Sequence, residues 1–326
     1  MDVAPKLLDM VWAVLIFGAV IAVILGLAAL YEKRGGRRAG WWFVGPSLAL
    51  LAVGLVYPAL KTLWNSFRDA GGGSFVGIDN YTAIFTNSDE LVVLRNTVLW
   101  TLVTPFVATA IGLLYAILVD RAKGEAVAKA VIFLPMAISL VGASIIWKFM
   151  YDFRDPAGGT SKHPIEQIGL INQVIVWLGG KPYNFLLNSP WNTFFLIVVM
   201  IWIQAGFAMT ILSASIKAIP ADIVEAARLD GVGGFQMFRF VTFPSIRPAV
   251  VVVLTTIAIA CLKVFDIVRT MTGGNFDTNV IANEFYSQTF SAANQGLGAA
   301  LAVILFVLVI PIIVYNVRQL RASEGR

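Results

Sequence analysis

The stretch TFFLIVVMIWIQAGFAMTILSASI, residues 193–216, decides the fold, because none of its residues is charged. About 20 apolar residues in an α-helix are enough to cross the roughly 30 Å hydrocarbon core of a bilayer. Inside that core the chain must satisfy its own backbone hydrogen bonds, and a helix does so. Residues 193–216 are therefore predicted to form a transmembrane helix.

Six other runs of the chain share this character. Hydrophobic residues make up 58% of the 326 residues and charged residues 13%, whereas about a quarter of the residues of a soluble domain are charged. We therefore predict an all-α polytopic membrane protein with about seven transmembrane helices. The other six predicted spans lie near residues 9–30, 42–66, 96–119, 130–150, 247–268 and 297–317.

The basic residues fall mostly on one side of these predicted spans. Four alternate loops contain 14 lysines and arginines, and the four segments on the other side contain 6. Because short loops rich in lysine and arginine stay in the cytoplasm, the asymmetry predicts an external N-terminus and a cytoplasmic C-terminus. It also accounts for the net charge of +5 without a nucleic-acid partner. The predicted cytoplasmic segments are 31–41, 120–129, 217–247 and 318–326.

The sequence patterns of membrane-embedded enzymes are missing. Cys261 is the single cysteine and lies in a predicted span, and the single histidine, His163, lies in a loop. The sequence contains neither an HExxH nor a GxSxG motif. We therefore expect neither catalytic residues nor a bound metal or other cofactor in this chain.

The chain also lacks a phosphate loop with which to use ATP by itself. Gly231-Val232-Gly233-Gly234 lacks the lysine that such a loop requires. Uphill transport would therefore need a separate ATPase subunit. From the residues alone, an ion-coupled secondary transporter and a non-transport membrane scaffold are alternatives. Ion coupling would normally place acidic groups at mid-membrane, whereas the clearly embedded charges, Lys263 and Asp266, lie near the outer end of the sixth span.

The predicted cytoplasmic loop 217–247 contains IPADIVEAARLDG, residues 219–231. Pro220 discourages continuation of the preceding span, and Gly231 suits the left-handed residue that ends a helix. We predict a short separate helix between them, in which Asp222 is the N-cap and Glu225 completes a capping box. Such a helix either lies on the inner leaflet or presents small side chains to a partner protein.

Glu225-Ala226-Ala227, then Asp230-Gly231, then Phe243-Pro244 resemble the signature loop of binding-protein-dependent permeases of ATP-binding-cassette (ABC) importers. In that family the loop forms a coupling helix, which docks into the cytoplasmic ATPase. The resemblance implies that Glu225 makes a polar contact with the ATPase and that Ala226, Ala227 and Gly231 permit close approach. The ATPase-coupling residues that it implies are Asp222, Glu225, Ala226, Ala227, Asp230, Gly231 and Pro244.

Three further segments narrow the resemblance to permeases for maltose, trehalose and α-glucosides: 75–81 (FVGIDNY), 94–97 (LRNT), and 264–266 (VFD) followed by 272–274 (TGG). The resemblance implies a permease domain at 41–326, preceded at 1–40 by an extra N-terminal transmembrane helix and a basic loop. It implies a bacterial inner-membrane location and transport by alternating access. The implied partners are a second homologous permease subunit, ABC ATPase subunits that bind ATP and Mg, an extracytoplasmic sugar-binding protein received by loops 67–93 and 151–192, and a sugar substrate.

A sugar site needs hydrogen-bonding groups beside an aromatic surface. Trp202, Gln204, Phe207 and Thr210 provide both in the middle of the fifth span. The resemblance to the maltose permease points to a substrate path with Trp202, Gln204, Phe207, Thr256 and Lys263. For each aromatic residue the alternative is lipid contact or helix packing. Lys263 and Asp266, three residues apart, either form an ion pair or contact substrate hydroxyls.

Overall fold

The computed structural model describes residues 23, 39–120, 122–156 and 166–324. Within this part of the chain the structure is mostly helical and contains no β-strand, so the prediction of an all-α protein is confirmed there. An isolated antiparallel bridge joins Arg68 to Phe75. The predicted first span, near 9–30, and His163 lie outside the described residues, apart from Val23 in a helical turn.

The chain divides into two compact units, Met1–Trp64 and Asn65–Arg326. The first contains helix α1 (Ala39–Leu51), a π-helical segment at Ala52–Val56, and most of helix α2 (Tyr57–Asn65). Its apolar stretch Val44–Asn65 is long enough to cross a membrane, and the most apolar part of this stretch contains no buried residue. Such a helix suits lipid contact, because apolar side chains can face acyl chains without a protein partner.

The second unit contains the other helices whose bounds the described residues define. Two of them, α4 (Ser88–Val119) and α8 (Trp191–Lys217), pack at its centre, and both are membrane spans by length and apolar composition. The remaining helices are α3 (Asp79–Thr86), α5 (Glu125–Phe133), α6 (Leu140–Met150), α7 (Leu170–Trp177), α9 (Ala221–Leu229), α10 (Gly234–Gln236), α11 (Phe243–Leu262), α12 (Asp266–Met271), α13 (Ile281–Tyr286) and α14 (Gln295–Glu324).

Five helices of the described residues are long and apolar enough to cross a membrane, and a bent pair could form a sixth. These spans do not confirm the predicted total of seven. The five are Val44–Asn65, Ser88–Val119, Trp191–Lys217, Gly234–Leu262 and Gln295–Arg318.

The bent pair corrects the prediction of one continuous span at 130–150. Glu125–Ala137 and Leu140–Met150 meet at an angle of 100°. The first helix ends in a 3₁₀ turn that contains Pro135. The second helix is capped by Ser139, whose hydroxyl accepts a hydrogen bond from the amide of Gly142 at 3.1 Å. Proline and an N-cap serine therefore divide an apolar run that hydropathy alone treats as one helix.

Two other predicted boundaries also differ from the structure. The span predicted at 96–119 begins earlier, at Ser88, because the side chain of Asn87 caps the helix by accepting the amide of Asp89 at 2.8 Å. The span predicted at 247–268 ends at Leu262. Loop 151–192 contains the short apolar helix α7.

The packing of α4 against α8 forms the centre of the second unit. Ala108, Gly112 and Ala116 repeat every four residues on α4, and all three are buried. A Cβ at Gly112 would lie 2.5 Å from Cβ of Ala208 and 2.9 Å from the carbonyl oxygen of Ala205. Small residues at this spacing allow two helices in lipid to approach closely and gain van der Waals contact.

We predict that Gly112→Ala destabilises the fold, because the added methyl group would force the backbones of α4 and α8 apart. Overpacking of this kind costs about 1–3 kcal/mol, and the thermal midpoint of the purified protein in detergent should fall accordingly. Gly45→Ala is the matched control, since no atom lies within 4 Å of a Cβ at Gly45. An equal midpoint for both variants would contradict the close packing at Gly112.

Candidate functional site

Helix α9 (Ala221–Leu229) is the short separate helix predicted in loop 217–247. It begins directly after Pro220, which is the N-cap residue and offers no side-chain hydrogen bond. The predicted capping box of Asp222 and Glu225 is therefore wrong. Because the helix starts at Ala221, Asp222 already lies in the first turn, where its charge favours the positive end of the helix dipole.

The other end of α9 confirms the prediction that Gly231 is the left-handed residue that ends the helix. Gly231 has φ = 78°, in the left-handed region. Its amide donates to the carbonyl of Arg228 at 3.0 Å, and the amide of Val232 donates to the carbonyl of Ala227 at 3.1 Å. These two bonds form a Schellman motif, which satisfies the last carbonyls of the helix and turns the chain sharply.

Much of the surface of α9 is uncovered within the described chain. Leu229 is 89% exposed and Ile223 is 49% exposed, and Glu225 and Ala226 are exposed as well. Ala227 is half-buried, so the side of α9 that carries Ile223, Ala226 and Ala227 is only partly open. An exposed leucine and isoleucine beside small alanines are typical of a surface that packs against another protein.

A cavity of about 620 Å³ separates α9 from the ends of α4 and α8. Four charged residues line it, namely Asp120, Lys217, Glu225 and Arg228. Glu225 of the signature loop and Lys217, the last residue of α8, therefore line the same cavity. Its other lining residues are Ile216, Ile219, Ala221, Val224, Met237 and Thr242.

A charge cluster beside this cavity connects three helices. The carboxylate of Glu125, in the first turn of α5, accepts the ammonium of Lys129 at 2.6 Å and that of Lys217. Lys217 also lies 3.8 Å from Asp120 at the end of α4, and Lys129 donates to the hydroxyl of Ser213. The sequence analysis did not identify this cluster, although Glu125 and Lys129 have the spacing of a helical ion pair.

After the turn at Gly231, the chain enters a long helix that begins at Gly234. Residues Gly234–Leu262 form one span that contains a π-helical segment at Met237–Thr242. Pro244 lies in the first turn of α11, directly after the π-helical segment, and it is exposed.

The predicted substrate-path residues lie on two helices and the turn after them. Trp202, Gln204 and Phe207 are half-buried on α8, and Thr256 is exposed on α11. The ring of Trp202 contacts that of Trp147 edge-on, with centroids 5.6 Å apart. Trp202 and Phe207 both pack against the main core, which supports the packing alternative for these two aromatic residues.

Thr210 lies one turn beyond this group. It donates to the carbonyl of Gly206 at 2.9 Å, and it lines a groove of about 480 Å³ together with Lys129 and Ser213. No hydrogen bond in the described part of the chain connects Gln204 to Thr256 or Lys263.

Lys263 and Asp266 form no ion pair among the described residues, so the ion-pair alternative is wrong for this structure. Helix α11 ends at Leu262 with Lys263 as its C-cap, and α12 begins at Asp266. This break removes the helical spacing that would have placed the two side chains together. Lys263 is exposed, and Asp266 is half-buried in the first turn of α12.

At the opposite end of α4, two buried side-chain amides and a hydroxyl connect α4 and α8 to the loop after α12. Asn96 donates to the carbonyls of Asp277 and Asn279, at 2.6 and 2.9 Å. The hydroxyl of Thr97 accepts the amide of Ile281 at 3.0 Å, and Asn192 of α8 donates to the carbonyl of Phe276 at 2.6 Å. The start of α4 and the loop after α12 therefore form one hydrogen-bonded unit.

No metal centre is formed by the described residues, since no group of three His, Cys, Asp or Glu side chains in them is placed to hold an ion. Cys261 is buried in α11 and is a free thiol.

Comparison with known proteins adds a family and several relatives. The family model described as binding-protein-dependent transport system inner membrane component matches residues 92–321. The osmoprotective compounds uptake permease protein of Synechocystis sp. is 46% identical over 86% of this chain and 99% of its own length. The α-glucoside transport system permease protein of Rhizobium meliloti is 44% identical over 87% of this chain and 83% of its own length.

More distant proteins share the fold. The trehalose/maltose transport system permease protein of Thermococcus litoralis is 30% identical over 85% of this chain and 92% of its own length. A chain of a bacterial alginate ABC transporter, solved in complex with an alginate pentasaccharide-bound periplasmic protein, superposes with a TM-score of 0.73. That match is 19% identical and covers 88% of this chain and 95% of the other.

We predict that Gly231→Ala loosens the end of α9, because a Cβ at positive φ costs about 1 kcal/mol. Amide exchange at positions 231 and 232 should then accelerate roughly fivefold, as measured by hydrogen–deuterium exchange in detergent or nanodiscs. Gly234→Ala is the control, because nothing lies within 4 Å of its Cβ and its φ is not positive. Unchanged exchange in Gly231→Ala would contradict the left-handed cap.

Proposed function

Because this chain belongs to the family of binding-protein-dependent transport system inner membrane components, it is an ABC importer permease subunit and not an enzyme, and we propose that it transports an α-linked glucoside. In this family the ATP is hydrolysed by a separate subunit. The proposal extends to the route of transport, which is alternating access of a path between this chain and a second homologous permease subunit.

The choice of substrate class rests on the 44% identity with an α-glucoside permease over 87% of this chain. A relative of similar identity is named for osmoprotective compounds, and a third for trehalose and maltose. An α-linked glucoside is the chemistry that the α-glucoside permease and the trehalose/maltose permease have in common. Family membership decides against the ion-coupled transporter and the non-transport scaffold as functions of this chain.

The proposed complex also contains ABC ATPase subunits with ATP and Mg, and an extracytoplasmic sugar-binding protein. One fold neighbour was solved with a periplasmic protein, which supports this assembly. We place the complex in the bacterial inner membrane, with the N-terminus outside and the C-terminus in the cytoplasm. Residues 1–40 are then an additional N-terminal helix and basic loop, and 41–326 form the permease domain.

Helix α9 is the proposed contact with the ATPase. Its exposed face and the charged cavity beneath it support this role, because a partner could cover Leu229 and Ile223 while pairing with Glu225. Force applied there would pass through the continuous helix Gly234–Leu262 to the middle of the membrane. The proposed coupling residues are Asp222, Glu225, Ala226, Ala227, Asp230, Gly231 and Pro244.

The proposed substrate path includes Trp202, Gln204, Phe207, Thr256, Lys263 and Asp266. Lys263 is the strongest of these, because its ammonium is exposed and has no acidic partner among the described residues. An ammonium offers three hydrogen-bond donors, which suit the hydroxyl oxygens of a sugar. Asp266 has a second role at the start of α12, where its negative charge stabilises the helix dipole.

The coupling role predicts that Glu225→Lys combined with Gly231→Asp abolishes sugar-stimulated ATP hydrolysis. The first change reverses a charge at the proposed docking face, and the second places a side chain at the left-handed cap. The measurement is ATPase activity of the reconstituted transporter with its binding protein and a panel of α-linked glucosides. Lys123→Glu is the control, since it reverses an exposed charge in another predicted cytoplasmic loop and does not line the cavity.

Full stimulation of the double variant, with assembly in the membrane intact, would overturn the assignment of α9. In the wild-type transporter, the glucoside that stimulates most strongly identifies the substrate. Stimulation by no α-linked glucoside would overturn the proposed substrate class.

The substrate role of Lys263 predicts that Lys263→Ala slows sugar uptake into proteoliposomes about tenfold at saturating loaded binding protein. A hydrogen bond from a charged donor contributes about 1.5–3 kcal/mol, which sets this magnitude. Lys181→Ala removes an exposed lysine from the loop before α8 and serves as the control, with uptake like that of the wild type. Wild-type uptake by Lys263→Ala would remove this residue from the path.

A further inference from the structure

A second cavity, of about 390 Å³, lies at the end of α4 far from α9. Four carboxylates line it: Asp89 and Glu90 from the first turn of α4, Asp277 from the loop after α12, and Glu284 from α13. No lysine or arginine lines it. The rest of its lining is Val92, Val93, Gly274, Phe276 and Asn279.

The packing of the described residues gives no reason for a buried carboxylate at Glu90. It is 6% exposed, it lines this cavity, and its Oε2 is buried without a hydrogen-bond partner. A buried carboxylate oxygen without a partner is unfavourable by several kcal/mol in general, so such groups are retained where a cation or donor reaches them. Arg95, one turn further on, donates to Asn96 at 3.2 Å and forms no ion pair with Glu90.

The other polar groups around the cavity are already used in holding its walls. Asn279 donates to Oε2 of Glu284 at 2.5 Å, and Gln288 donates to Oε1 of the same carboxylate at 2.6 Å. The backbone of Asp277 is fixed by Asn96. The walls are therefore set before any ligand binds, while the carboxylates of Glu90 and Asp277 have no donor from the described chain.

This arrangement favours a donor-only cation on a side chain over a metal ion. No three acidic side chains of the described residues are close enough together to coordinate a metal. A guanidinium, by contrast, carries five donors and no acceptor on a long stem, and it can contact carboxylates that lie several ångströms apart. Charge complementarity therefore identifies the occupant as a basic side chain, with arginine preferred.

Given the ATPase contact proposed for α9, the position of the cavity indicates the side of the membrane from which this side chain comes. Helix α4 has 32 residues, so its two ends lie about 48 Å apart. Glu90 lies at one end, and Asp120, beside α9, lies just past the other. A basic side chain that reaches Glu90 therefore comes from the membrane side opposite to the ATPase.

We propose that an arginine of the extracytoplasmic binding protein inserts into the acidic cavity formed by Asp89, Glu90, Asp277 and Glu284 when the two proteins dock. The proposal rests on the transport function proposed above, because that function supplies the binding protein. It assigns Glu90 as the buried anchor of the contact and Asp277 as its second carboxylate.

The test compares Glu90→Gln, Asp277→Asn and the control Asp120→Asn in the complete transporter in nanodiscs. Asp120 lies just past the opposite end of α4, outside both loops assigned to the binding protein, and does not line the acidic cavity. Affinity for the immobilised, sugar-loaded binding protein is measured by biolayer interferometry at two salt concentrations. We expect at least tenfold weaker binding for Glu90→Gln, weaker binding also for Asp277→Asn, and wild-type affinity for the control.

The thermal midpoint of the transporter without binding protein distinguishes this contact from a structural role. Neutralising an unpaired buried charge should leave the midpoint unchanged or raise it, even as affinity falls. A lower midpoint together with lower affinity in Glu90→Gln, and no effect of Asp277→Asn, would show a structural role and overturn the proposal. Wild-type affinity in Glu90→Gln would overturn it directly.

A chelator arm tests the competing ligand. Loss of affinity on adding EDTA, with recovery on adding Ca²⁺, would place a metal in the cavity and overturn the arginine contact. The proposed function has a separate readout, because wild-type transporter that no sugar-loaded binding protein stimulates would refute that function. Normal stimulation of the wild type, combined with wild-type affinity in Glu90→Gln, would refute only the docking contact.

Discussion

The close approach of α4 and α8 is the constraint on which the second unit depends. In lipid, apolar side chains gain little by meeting one another, so helix association depends on close van der Waals contact and on interhelical hydrogen bonds. The buried small residues Ala108, Gly112 and Ala116 provide that contact along α4. Because the contact fixes both helices along their length, it also fixes what lies at each of their ends.

At each end a different interaction continues the same pairing. Asn96 near the start of α4 and Asn192 near the start of α8 both donate to the loop after α12. At the other end, Asp120 and Lys217 meet beside Glu125. At the first end, buried side-chain amides donate hydrogen bonds to backbone carbonyls that would otherwise be unsatisfied. At the second end, ion pairs connect the helices, because partial exposure to solvent lowers the cost of desolvating their charges. The helix pair thus presents a shaped surface on both sides of the membrane.

The sequence was sufficient for features that depend on local residue order and insufficient for those that depend on packing. Hydropathy located the spans at 42–66, 193–216 and 297–317 within two residues, and Gly231 located the end of α9, because composition and positive φ are local properties. The capping box failed because Pro220 starts the helix earlier than Asp222 could. The buried state of Glu90 follows from contacts with residues nearly 200 positions away, which no local pattern contains.

Alternating access requires movement, and the α4–α8 pair is the least suitable place for it, because its contacts have no spare volume. The irregular elements lie elsewhere. Two of them are the 100° bend between Glu125–Ala137 and Leu140–Met150 and the π-helical segment Met237–Thr242 in the long helix that follows α9. A π segment leaves the regular hydrogen-bond ladder and is a common site of helix bending. With the coupling role proposed for α9, a rigid central pair flanked by these two points would let force from α9 turn α11 about a fixed support.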